Sequence, residues 1–182
     1  MKNKKALWLT QTAVFMALLI GAQAATASFG QLVTGSIVNF ILIMSAMSCG
    51  LASGLVVALA SNVFAKLIGI GPLWSIIPFV MAGNAALVSV WHIVGKTKFL
   101  NVHIARVAAL VIAAVCKFFV LYLGIVKIAI PLFLNLPEAQ AKVVSNLFSL
   151  PQLLTASIGG TLALAILPVI EKVMRKNQET RR

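Results

Sequence analysis

"HIARVAALVIAAVCKFFVLYLGIVKI", residues 103–128, decides the fold. It exceeds the ~20 apolar residues that carry a helix across the hydrocarbon core of a bilayer. It shows none of the apolar–polar alternation of a membrane barrel strand. In lipid every backbone N–H and C=O has to be satisfied internally, so the stretch reads as a transmembrane helix. Its oddity is Lys117, set near the middle in "AAVCKFFV". A cation at that depth costs about 2.5–3.5 kcal/mol on insertion scales and points to a function.

Working outward, five further apolar runs are bounded by Gly, Pro or charge: 7–28, 31–48, 51–70, 73–95 and 150–171. The expectation is an all-α integral membrane protein, one domain over residues 1–182 with six transmembrane helices in a bundle. Composition agrees. The chain is 61% hydrophobic and 10% charged, with a mean hydropathy of +1.05, whereas soluble domains carry about 25% charged residues. One longer connector, 129–149, is expected as an outer loop, and its "PEAQAKVVSNLF" resembles a short amphipathic helix lying at the interface.

Eleven of the fifteen Lys and Arg fall on one side of a six-span topology: Lys2, Lys4, Lys5, Lys96, Lys98, Arg106, Lys172, Arg175, Lys176, Arg181 and Arg182. The positive-inside rule makes that side, and both termini, cytoplasmic. The net charge of +12 is accounted for by topology and anionic lipid headgroups, so no nucleic-acid partner is expected. "MKNKK", "ALWLTQTAVFMALLI" and "GAQAATA" also match the three sections of a cleavable signal peptide. Retention as a first span is the preferred reading, because the rest of the chain is multi-pass and the segment carries a packing face.

That face is Ala13, Ala17, Gly21 and Ala25, small residues every fourth position that allow close helix approach in lipid. Packing within the bundle and docking of a partner both fit it. A second pattern is a repeated heptad, "QLVTGSI" at 31–37 and "QLLTASI" at 152–158. Both copies open spans running inward, so both lie at the outer surface. They read either as helix starts with interfacial hydrogen bonds or as a pocket wall, since i,i+3 spacing puts Gln31 with Thr34 and Gln152 with Thr155 on one face.

The chain has no Asp, and its three Glu are Glu138, Glu171 and Glu179, none of them at mid-membrane. Lys117 is therefore neutral, or solvated by amides such as Asn39, Asn62 and Asn84, or matched by an anionic substrate, which suggests a carboxylate. Lys66 and Lys127 lie nearer the outer ends of their spans, where snorkelling to headgroups is the alternative to a binding role. The absence of a membrane carboxylate argues against a proton- or sodium-coupled carrier. No phosphate-binding loop is present, so the chain is not expected to be an ATPase or any other enzyme. Cys49 and Cys116 lack paired spacing, and His92 and His103 lack companion ligands, so neither metal nor cofactor is expected.

Size, basic inner termini, the A-x-x-x-A face and the stretches "GQLVTGSIVNFILI", "SGLVVALASNVFAKLIGIGP", "IPFVMAGNAALV" and "PQLLTASIGG" together resemble the substrate-binding S component of an energy-coupling factor (ECF) vitamin transporter. The resemblance implies a protein of the bacterial plasma membrane that binds a vitamin or related micronutrient near its outer face. It implies association with a transmembrane T component and two cytosolic ATPases, and reorientation in the membrane to release substrate inside. Ala13 and Ala17, extended by Gly21, would meet the T component. Gln31, Thr34, Asn39, Lys66, Asn84, Lys117, Gln152 and Thr155 would hold substrate, and the outer loop would close over it. A stand-alone facilitator or small channel, and an assembly subunit that binds no solute, are the competing readings.

Overall fold

A computed structural model describes the backbone of residues 2–179 and the side chains of residues 5–173. The side chains of Lys2, Lys4, Arg175, Lys176 and Glu179, and all of Arg181 and Arg182, on which part of the charge reading rests, lie outside the described residues. Seven α-helices occur in the order α1 Lys2–Thr26, α2 Gln31–Cys49, α3 Leu51–Leu67, α4 Ile77–Gly95, α5 Val102–Leu121, α6 Glu138–Leu147 and α7 Leu150–Glu179. No strand occurs among the described residues. Five segments are long and apolar enough to cross a membrane, and α3 is a shorter apolar helix of 17 residues.

Single glycines make the tightest reversals. Gly30 and Gly50, which separate α1 from α2 and α2 from α3, take φ of 82° and 94° with ψ near extended. That region is open essentially to glycine alone. Pro78 lies in the first turn of α4, where its missing N–H has no helical partner to lose. Asn101 caps α5 by accepting from the His103 backbone N–H at 3.0 Å.

Helix α2 is the axis of the bundle and touches α1, α3, α4 and α7. Ile41 to Met47 are buried without a break, as a helix enclosed on every side requires. Leu42, Leu87, Val88, Trp91, Ala109, Ala113 and Leu167 fill the core around it. In α1, by contrast, only Thr12 and Leu19 are buried among the described side chains, and Thr12 shares a 2.8 Å hydrogen bond with Ser53 of α3. The outer side of α1 presents Ala13, Ala17, Gly21 and Ala25, all exposed.

The repeated heptads pack on one another. A Cβ on Gly35 would lie 2.9 Å from the Thr155 side chain, and one on Gly159 would lie 2.6 Å from the Ser36 carbonyl and 2.8 Å from the Phe40 N. Residue numbers rise together across this contact, so α2 and α7 run parallel. Because the obstacles at Gly159 are backbone atoms, Gly159→Val must push the two helices apart. Overpacking of this kind costs about 1–3 kcal/mol, and the unfolding midpoint of the purified protein in detergent should fall accordingly. Gly21→Ala adds a methyl to open space and should leave that midpoint unchanged or raise it, with a helix-propensity gain of up to ~1 kcal/mol.

The connector at 129–149 is not a loop. Helix α5 continues as a π-helix over Tyr122–Leu134 with Pro131 inside it, so helical backbone runs unbroken from residue 102 to 134. Pro131 offers no N–H, and the wider π turn carries the chain past it without a break. Asn135, left-handed at φ 39°, turns the chain into α6, whose residues are all at least partly exposed. Val144 and Phe148 pack on a small apolar cluster of Ile76, Leu121 and Ile125. The amphipathic helix read from "PEAQAKVVSNLF" is therefore present, seated on the π-helix.

At the far pole, Arg106 of α5 pairs with Glu171 of α7 at 2.6 Å. His92 Nδ1 lies 3.1 Å from the Ala46 carbonyl. Lys5, Lys96, Lys98 and Lys172 gather at this end by sequence position, while the ends of α1, α3 and the π-helix share the opposite pole with α6.

Candidate functional site

At the pole capped by α6 lies a cavity of about 250 Å³, bordered by the first turns of α2 and α7, the end of α1 and the α3–α4 connector. Its polar wall consists of Gln23, Gln31, Thr34, Asn39, Asn62, Asn84, Lys117 and Gln152. Val38, Val80, Ile70, Pro72 and Phe148 supply the apolar wall. Lys117 is the one ionisable side chain of this lining and is only 3% exposed. Beyond it toward the far pole the bundle is packed with Leu42, Leu87, Trp91 and Ala113.

Lys117 is held by carboxamides. Its Nζ donates to Asn39 Oδ1 at 2.5 Å and to Asn84 Oδ1 at 2.7 Å. Each amide is oriented by a further acceptor. Asn39 Nδ2 donates to Thr155 Oγ1 at 3.2 Å, and Thr155 Oγ1 to the Gln152 carbonyl at 3.1 Å. Asn84 Nδ2 reaches Asn62 Oδ1 at 3.4 Å, and Asn62 Nδ2 donates to the Ala58 carbonyl at 2.6 Å. One network thus joins α2, α3, α4, α5 and α7, with both carboxamide dipoles turning their negative ends to the lysine. Buried polar groups satisfied in this way specify one arrangement of the core.

Of the residues expected to bind, Gln31, Thr34, Asn39, Asn84, Lys117 and Gln152 meet in this cavity. Thr155 does not reach the wall; it is fully buried behind Asn39 and acts through it. Lys66 does not line the cavity either. Helix α3 ends one turn beyond Asn62 in a glycine cap, with Ile70 N donating to Ala65 O at 2.8 Å and Gly69 N to Lys66 O at 3.0 Å. This closure swings Ile70, Gly71 and Pro72 in as the wall, and Lys66 stays half-buried outside it.

Both readings of the heptads hold in part. Thr34 Oγ1 donates to the Thr26 carbonyl at 2.7 Å, and Gln152 Nε2 to the Leu147 carbonyl at 3.1 Å, so each fastens its helix start. Both nevertheless face the cavity, as does Gln31. Sequence reasoning misses Gln23, an amide in a segment otherwise notable for its small-residue face, and it offers Asn62 as a neighbour of Lys117 without placing it in the wall. The signal available for both is an amide inside an apolar span, the feature that singles out Asn39 and Asn84.

Apart from Lys117, the polar groups of the cavity are amides and one hydroxyl. Its lining contains no carboxylate, imidazole or thiol, the usual activators and nucleophiles. An ammonium has three N–H donors, of which two are taken, so one is left for a guest. Comparison with protein-family profiles, with curated protein sequences and with solved structures returns no match.

Proposed function

We propose that this chain is a substrate-binding membrane subunit of the ECF S-component kind. It captures a small, vitamin-like micronutrient from outside the cell and passes it to an ATP-driven complex of a transmembrane T component and two cytosolic ATPases. The observation that carries the reading is a preformed, partly open cavity at one pole that contains a buried, amide-held lysine. Concave sites with a few converging polar groups in an apolar wall are the common design for small ligands. In this reading six helices span the plasma membrane, α3 among them, with both termini inside. The basic far pole is cytoplasmic, which turns the cavity outward.

Ligand closure would be the work of α6 and the π-helix that carries it. Since Phe148, the residue that ends α6, lines the cavity, a guest that fixes its position also alters the surface met by a partner, and ligand affinity becomes linked to partner affinity. The exposed face of Ala13, Ala17 and Gly21 is the surface assigned to the T component. The facilitator reading is disfavoured by the packed core of Leu42, Leu87, Trp91 and Ala113 between Lys117 and the far pole.

The test is affinity purification of the tagged chain from its native membranes in mild detergent, with identification of every co-purifying polypeptide. Recovery of one integral protein and two ATP-binding subunits supports the proposal. A solitary chain that transports solute when reconstituted alone overturns it. Within the cavity, Gln31→Leu and Gln152→Leu should each weaken ligand binding about tenfold, the worth of one hydrogen bond of ~1–1.5 kcal/mol, without loss of membrane insertion. Titration of retained ligand by calorimetry checks this, and normal binding by both variants would make the heptads purely structural.

A further inference from the structure

We propose that the cavity is built for a small hydrophilic monocarboxylate, a solute with one negative charge and an uncharged, hydrogen-bonding remainder. The inference rests on the binding reading above and adds the chemical class of the guest.

Three observations select it. The first is charge. Lys117 is the one ionisable side chain in the lining, and no carboxylate approaches it; the ion pair found among the described residues is Arg106 with Glu171 at the far pole. Its two partners are neutral oxygens, which would solvate an ammonium without cancelling its charge. A guest with one negative charge makes the closed cavity neutral. A zwitterion would leave it at plus one and a dianion at minus one, and an uncompensated buried charge costs several kcal/mol. A phosphate monoester falls with the dianions, at about −1.5 to −2 near neutral pH.

The second is geometry. Both amides that hold Lys117 are themselves committed, Asn39 to Thr155 and Asn84 to Asn62. Each gives its oxygen to Lys117 and one N–H to the network, so Lys117 is the one side chain at the cavity floor able to meet an anionic oxygen with a positive charge. The third is the remaining wall. Gln23, Gln31, Thr34 and Gln152 ring the mouth side by position, with Val38 and Phe148 between them. An alkyl chain would strand those amides, each worth ~1–3 kcal/mol when buried unsatisfied, whereas hydroxyl or amide groups would satisfy them. At about 250 Å³ the space lies just below the ~300–1,000 Å³ typical of drug-sized ligands.

The test exposes the full-length protein, in lipid nanodiscs, to yeast extract as a mixed source of water-soluble metabolites. Compounds retained after rapid desalting are identified by mass spectrometry and sorted by charge at neutral pH. The expected result is selective retention of hydrophilic monocarboxylates, lost from Lys117→Met. The wild-type sorting is decisive by itself, so a variant that fails to fold does not blunt it. Retention confined to neutral solutes, zwitterions, dianions, fatty acids or lipid phosphodiesters overturns the assignment of class and leaves the binding function standing. Retention of nothing beyond what empty nanodiscs hold overturns both.

Discussion

Lys117→Met should lower ligand affinity by at least ~30-fold while the protein still inserts and folds. The side chain is 3% exposed and is the sole ionisable group in the cavity lining. Removing one member of a buried, hydrogen-bonded charge pair costs about 2–5 kcal/mol, much of it from the charge left behind, and each 1.4 kcal/mol is a factor of ten. Methionine keeps the length and apolar stem of lysine, so the packing of α5 against α2 and α4 is conserved. The fold has a second reason to survive. Burying an ammonium is itself unfavourable, and its loss offsets the two Asn oxygens that lose a donor. Calorimetry on wild type and variant, with helix content from circular dichroism as the folding control, reads both effects. Equal affinities would remove Lys117 from the site and with it the assignment of an anionic guest.

A positioning role for Thr155 separates from this. Thr155→Val deletes the hydroxyl that accepts from Asn39 but leaves every group of the cavity wall in place. Asn39 is then free to rotate and offer Lys117 its NH2 in place of its oxygen. Affinity should fall by about five- to tenfold, in keeping with one neutral hydrogen bond, and Thr155→Ser should restore it. Rescue by serine distinguishes the hydroxyl from the methyl, which packs on Gly35.

Much of this is legible in the sequence, and the reason is local. Membrane spans announce themselves through uninterrupted apolar runs, so the helices fall close to where the runs lie. A lysine in the middle of such a run is conspicuous without any structure, and so are the three asparagines, since nothing else in lipid can answer its charge. The network around Lys117 uses those asparagines, two directly and Asn62 at one remove. The illegible part depends on approach between distant segments. Lys66 and Asn62 lie four residues apart on one helix face, and only the glycine cap after Leu67 decides that Ile70 to Pro72 displace the lysine from the wall. The stretch 129–149 reads as a loop because Pro131 and Pro137 usually end helices. A π-helix tolerates the first, and the second precedes α6. The heptads read as two walls of one pocket, yet their closest contact is with each other, through Gly35 and Gly159. Glycine in a sequence does not disclose which backbone it makes room for.

Under the proposed function, Ala17→Trp should break the association with the partner membrane subunit and leave ligand binding intact. Ala17 lies on the exposed side of α1, away from the face that buries Leu19 and meets the cavity at Gln23, so an indole there disturbs neither the core nor the pocket. In the free subunit it simply enters lipid, where an aromatic side chain is at no disadvantage. Partner docking is different, because in lipid no hydrophobic gain drives helices together and close backbone approach has to supply the attraction. Between Ala13 and Gly21, whose surroundings are open, an indole holds the facing helix off. An overpacked contact costs about 1–3 kcal/mol, or about five- to a hundredfold in association. Co-purification of the ATPase subunits should therefore drop by that factor, while the ligand titration superimposes on wild type. If partners are recovered in full, this face is not the docking surface. Loss of ligand binding together with partners would show that α1 is part of the pocket's support, and the two functions would then not be separable along this helix.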